Sequence, residues 1–193
     1  MKKTVEMFLV VLKAKFEGVT SLGNGLYLVK AYRETYSDSN WGVYSSQIKG
    51  VICWGNKYER LSPDLISFER VFRYSGGGSH TESYLFSLQK KRCVKFGEYS
   101  GSRFELCENG YVKACFLKTV ETESRIDILG GWGVFDIANE KFIVRPQYEK
   151  IIPLGNNQYY GIKENRGKGR KTYFLIEIND QGKVITQKTS KIA

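Results

Sequence analysis

The sequence predicts an all-β fold built from about four repeated antiparallel β-meander units. Three observations carry this. First, Trp41-Gly42-Val43-Tyr44 is echoed by Trp132-Gly133-Val134-Phe135. A polar turn, a second β-rich segment (Gly50-Val51-Ile52; Phe142-Ile143-Val144) and an aromatic-acidic pair (Tyr58-Glu59; Tyr148-Glu149) follow each copy. The step from Trp to Tyr is 17 residues in one copy and 16 in the other. Second, Val, Ile, Tyr and Phe gather in runs of four to six residues, punctuated by turn formers such as Asn24-Gly25, Asn109-Gly110 and Asp180-Gln181-Gly182. Third, no segment sustains a capped helical apolar period.

The elements follow in order. Lys2 and Lys3 precede the apolar run of residues 7–12, an arrangement that superficially matches a secretory leader. Glu6 interrupts its start, Lys13 and Lys15 close it, and no small-residue cleavage site follows, so it reads as a buried strand. Lys15-Phe16-Glu17-Gly18 onward aligns without a gap to Gln147-Tyr148-Glu149-Lys150, and both copies reach Leu-Gly-Asn before a further strand. Trp41 then leads the first full unit. Residues 63–72 read as a connector followed by a strand, although Ser62 offers a helix cap. Tyr84-Leu85-Phe86 takes the leading-strand place next, with Cys93-Val94 as its second strand and Tyr99 as its connector aromatic. Trp132 leads the third unit and Tyr173 the fourth, so the leading aromatics are 43, 48 and 41 residues apart.

Each unit is thus expected to hold three strands, with the aromatic-Glu pair as a connector. The units cover residues 1–40, 41–83, 84–131 and 132–172 of one repeat domain spanning 1–193, in a propeller-like or spiral array. Residues 173–193 complete the first unit, and pairing of the two terminal strands would close the array. The repeated core is expected at Trp41, Gly42, Tyr58, Tyr84, Tyr99, Trp132, Gly133, Tyr148 and Tyr173. Trp fills space between units and Gly allows close backbone approach. On this reading Trp132→Ala costs about 3–5 kcal/mol.

The stretches 131–136 and 142–151 resemble a WG-repeat unit, with a Trp-Gly strand, a turn and an Ile-x-Pro-x-Tyr-Glu-like segment. The match is good over 132–163 and fair over 41–74. The Trp54-Gly55 pair falls in the second-strand position instead. The resemblance implies a bacterial structural or interaction repeat without family-wide catalytic residues.

Composition sets the remaining limits. The 193 residues are 41% hydrophobic, which excludes broad disorder. No apolar run approaches the ~20 residues of a membrane span. Thirty Lys and Arg against 20 Asp and Glu give a net charge of +10, which favours anionic partners. Cys53, Cys93, Cys107 and Cys115 form no dense framework and no CxxC pair, so a reduced, cytoplasmic setting and no metal site are expected, with pairing in two bridges as the alternative. His80 is the single histidine, beside Gly76-Gly77-Gly78 in an expected loop, and nothing marks a base or a third group for catalysis. The chain is expected to be no enzyme and to need no cofactor.

Binding is therefore expected on the variable loops at residues 33–40, 75–83, 119–125 and 164–171, which equivalent units project from one face. Arg166, Lys168, Arg170 and Lys171 form one basic cluster. Lys90, Lys91 and Arg92 form another, on a turn expected at the opposite rim, while Glu121 and Glu123 make the third loop acidic. The leading expectation is a module that binds a protein partner, acidic or nucleoprotein. The alternatives are an RNA- or DNA-binding protein, or a small inhibitor of a nucleoprotein complex such as a phage-encoded anti-defence protein.

Overall fold

The computed structural model describes residues 2–32, 40–121, 126–165, 170–179 and 182–189. The chain divides into two compact units, Met1–Val94 and Lys95–Ala193. The first unit opens with helix α1 (Lys2–Lys15) and carries two sheets. The first sheet is β1 (Gly18–Gly23), β2 (Leu26–Lys30), β3 (Trp41–Ser45) and β4 (Gly50–Gly55). The second is β5 (Lys57–Ser62), β6 (Leu65–Arg73), β7 (Ser79–Ser87) and β8 (Arg92–Cys93). The second unit repeats the plan. Its third sheet is β9 (Ser100–Leu106), β10 (Tyr111–Glu121), β11 (Ile126–Asp136) and β12 (Lys141–Tyr148). Its fourth is β13 (Lys150–Gly155), β14 (Gln158–Asn165), β15 (Arg170–Ile178) and β16 (Val184–Thr189).

The all-β repeat is therefore present, but its units have four strands rather than three. The reason is that the connector itself pairs. The Glu17 amide donates to the Lys30 carbonyl at 2.8 Å, and Glu149 does the same to Ile162 at 2.8 Å. The strands that follow end in matching turns: Gly23 and Asn24 have φ of 87° and 51°, and Gly155 and Asn156 have 88° and 50°. Such left-handed pairs suit Gly and Asn. In the second sheet the same bond runs from Asn56 to Glu69 at 2.6 Å. Asn56 thus stands where Glu149 stands, and Gly55 where Tyr148 stands. Tyr58 lies further along, on β5, so the Tyr58-Glu59 marker is not the structural equivalent of Tyr148-Glu149.

The four leading aromatics all sit on third strands of their sheets, but they are not the deepest residues. Trp41, Tyr84, Trp132 and Tyr173 are half-buried, as is Tyr99, and Tyr58 is exposed. Only Tyr148 of the expected core aromatics is buried. Trp41 packs against Tyr58 at 4.8 Å, and the Lys113 ammonium lies 5.2 Å from the Trp132 ring. The interior between sheets is aliphatic and phenylalanine-rich instead. Leu26, Leu28, Val43, Ile66, Phe68 and Phe86 fill the first unit, and Val134, Val144, Tyr148, Ile151, Tyr159 and Ile176 fill the second. The Gly of the repeat meets its expectation. A Cβ on Gly133 would lie 2.8 Å from the Val144 carbonyl oxygen, at the bulge where Trp132 pairs with Tyr148 but Val134 pairs with Val144.

Residues 7–12 are helical, which corrects the expected N-terminal strand. Phe8, Leu9, Leu12 and Phe16 recur at helical spacing and cover the outer face of the first sheet. Phe8 lies 5.6 Å from Tyr27, and Phe16 lies 6.0 Å from Tyr44. Lys13 and Lys15 fall in the last turn, where cations complement the helix dipole. With that segment helical, β1 is an outer strand paired only to β2, and β16 pairs only to β15. Among the described residues no ladder joins β1 to β16. Leu12, 1% exposed, anchors the helix, whereas Val11 faces water. Leu12→Ala is expected to cost about 2 kcal/mol or more and Val11→Lys within about 0.5 kcal/mol, read by thermal melting. No helix is long and apolar enough to cross a membrane among the described residues.

Candidate binding grooves at the long hairpins

The segments expected to vary fall between the second and third strands of each sheet; residues 33–39, 122–125 and 166–169 lie outside the described residues, and 79–83 belong to β7. The strands leading to them are longer than expected: β10 and β11 pair continuously from Tyr111↔Asp136 to Glu121↔Ile126. β12 pairs with β11 only from Trp132 onward, so the outer part of this hairpin is a two-stranded ribbon. It exposes large aliphatic side chains: Ile126 is 67% exposed, Ile128 61%, Leu129 45% and Leu117 41%. By the pairing register Leu117, Ile126 and Ile128 share one face of the hairpin, and exposed apolar side chains grouped in this way suit an interaction surface.

At the base of the ribbon lies a groove of about 470 Å³. Cys115, Leu117, Ile128, Leu129 and Trp132 line it, together with Gly130 and Gly131 of β11. Gln147, Tyr148, Glu149 and Glu164 complete it. The Lys171 ammonium lies 3.4 Å from Glu149 Oε1, and Lys163 lies 4.7 Å from the centre of the Tyr148 ring. Burial lowers the pKa of Lys163 below that of an ordinary lysine.

The first unit carries a groove at the equivalent place, between the ends of β2 and β3, the β4–β5 connector and β6. Its volume is about 460 Å³, and Ala31, Asn40, Trp54, Asn56, Arg70 and Phe72 are among its lining residues. Asn56 replaces the glutamate. Its Oδ1 accepts from the Val71 amide at 2.6 Å and its Nδ2 donates to Asn40 Oδ1 at 3.1 Å, so it fixes the groove floor instead of charging it. The Arg70 guanidinium lies 4.5 Å from the centre of the Phe72 ring, which stacks on His80 at 6.2 Å. His80 is on β7, paired with Phe72 and 3.6 Å from Glu82, not in a loop. One groove is thus apolar with carboxylates, the other aromatic and cationic.

No family model, curated protein or solved structure matches the chain. The grooves must be read from their own residues. Arg166 and Lys168 lie outside the described residues. Arg170 is exposed on β15 opposite Asn165, and Lys171 beside it is engaged by Glu149. Lys90 and Lys91 sit on the β7–β8 turn and Arg92 opens β8, at the end of the second sheet away from its long hairpin. The Lys90 amide is held by Ser87 Oγ at 3.1 Å, and an Arg92 guanidinium nitrogen donates to the Cys93 carbonyl at 3.3 Å. Among the described residues no group of three or more His, Cys, Asp or Glu converges on a metal position.

The residues that sequence reasoning passed over are Leu117, Ile128, Leu129, Gly130 and Gly131. The available signal was Ile126-Asp127-Ile128-Leu129-Gly130-Gly131, an apolar stretch placed between units.

Proposed function

We propose that this chain is a WG-repeat-like, non-enzymatic interaction module that holds a segment of a protein partner in the groove beneath the β10–β11 hairpin. The exposed Leu117, Ile126, Ile128 and Leu129 carry the reading. They offer apolar area that binding would remove from water, at roughly 25 cal/mol per Å² before ordering costs. The unpaired edges of the ribbon suit an extended peptide, whose main chain adds hydrogen bonds.

A random peptide library displayed on phage and selected on the full chain tests this. Enriched peptides are expected to bind wild type, and Ile128→Asp with Leu129→Asp is expected to weaken them at least about tenfold, a difference of 1.4 kcal/mol. Peptides that bind the double variant equally well contradict the reading. The +10 charge supports nucleic acid as the competing partner. Labelled single-stranded RNA and duplex DNA are expected to bind weakly and to be released by salt. Tight binding with a steep salt slope, lost on changing Arg170, Lys171 and the 90–92 turn, favours the nucleic-acid reading instead.

A further inference from the structure

Two thiols meet in the first unit in a way that the binding grooves do not use. Cys53 on β4 is buried in the core between the first and second sheets, and Cys93 on β8 packs against the same core while remaining half-buried. Both are free, and β4 and β8 lie in contact, so the two side chains pack into one cluster. They also line one surface opening of about 270 Å³, together with Ile52, Trp54, Arg70 and Tyr84. A small oxidant therefore has a route to the sulfur atoms. The residues are 40 apart in sequence and lie on different sheets, so no local motif announces the pair.

We propose that Cys93 and Cys53 form a hydroperoxide-oxidisable dithiol, with Cys93 as the attacking sulfur and Cys53 as the resolving one. Exposure sets the order. Cys53 is 6% exposed within the core, whereas Cys93 is half-buried and is the sulfur that a peroxide meets first. Cys93 beside it and burial also push the Cys53 thiol's pKa up, and the thiolate is the nucleophile. In the first step the Cys93 thiolate attacks the terminal OH oxygen of the hydroperoxide; the S–O bond forms, the O–O bond breaks, and the alkoxide (hydroxide for hydrogen peroxide) leaves and takes a proton. This gives a sulfenic acid at position 93. In the second step Cys53 sulfur attacks that sulfur, its proton leaves with the hydroxyl as water, and the S–S bond forms. The two thiols lose two electrons in total, and one hydroperoxide is reduced to water and its alcohol, or to two waters for hydrogen peroxide.

Cys107 and Cys115 supply internal controls, because burial raises the pKa of both thiols. The disulfide would tie β8, which is only two residues long and pairs through Phe86↔Cys93 and Ser87↔Arg92, to the neighbouring sheet.

The test uses the full chain, reduced and then freed of reductant, treated with a small excess of hydrogen peroxide. Titratable thiols are expected to fall from four to two, and a peptide map without reductant is expected to join the Cys53 peptide to the Cys93 peptide. Four surviving thiols, a disulfide between any other pair, or oxidation spread evenly over all four overturns the proposal. The wild-type map decides this without any variant. For the order of attack, Cys53→Ser is expected to leave a sulfenic acid at position 93 that a dimedone probe traps, whereas Cys93→Ser leaves position 53 unlabelled. Equal labelling of the two variants overturns the assigned roles.

Discussion

Replacing Phe116 with alanine is expected to lower the unfolding free energy by about 3–5 kcal/mol. Phe116 is fully buried, on the face of the third sheet turned away from the fourth. Its ring lies 5.1 Å from Phe96 and 4.9 Å from Phe142, both edge-on. Phe96 also reaches Phe104 at 5.6 Å and Phe135 at 4.9 Å. Removing the Phe116 ring leaves a void that its three aromatic neighbours, Phe96, Phe135 and Phe142, cannot close by rotamer changes alone. Trp132→Ala is expected to cost less than Phe116→Ala, since part of the Trp132 surface already meets water. Urea denaturation followed by circular dichroism checks the order. A Trp132→Ala loss equal to that of Phe116→Ala would restore the tryptophan as the principal core residue.

Gly130→Ala is expected to be the second large loss, about 3 kcal/mol when backbone strain and overpacking combine. Gly130 has a φ of 129°, where a side chain is disfavoured, and its Cβ would sit 2.1 Å from the Phe116 carbonyl oxygen. Only backbone movement relieves that contact, and it would shift the ribbon against β10. Because Gly130 lines the groove, selected peptides should bind the variant more weakly even where it stays folded. Gly76→Ala is the matched control: nothing lies within 4 Å of its Cβ position, and it should change stability by less than about 0.5 kcal/mol. An unchanged denaturation midpoint for Gly130→Ala would show that the hairpin bends some other way.

The repeat was legible because it is written in residue types that pairing demands. Trp-Gly marks a close approach of the neighbouring backbone, and Leu-Gly-Asn marks a left-handed turn, so both kept their places in the fold. The helix was not legible, because Met7-Phe8-Leu9-Val10-Val11-Leu12 is equally a strand run when read alone. The deciding information lay elsewhere. Leu26, Tyr27, Leu28 and Val29 are buried in succession, which happens only when both faces of a strand are covered. The fourth strand was hidden for a different reason: Tyr58, Glu59 and Arg60 look like a polar connector, yet β5 is an outer strand that pairs on one side only. The basic loops promised a site by charge. The grooves depend on hairpin length and on which carboxylate meets Lys171, and neither is set by local composition.

The order of the sheets has a kinetic consequence. Every ladder joins strands that are neighbours in the chain, and the widest pairing within any hairpin, Tyr111↔Asp136, spans only one turn and its two arms. The entropy lost in closing each loop is correspondingly small. A β protein built this way has low contact order for its class and folds faster than a Greek-key sandwich of equal size. During synthesis each sheet has all of its pairing partners as soon as its own stretch has emerged, so folding proceeds from the N-terminus without waiting for the far end of the chain.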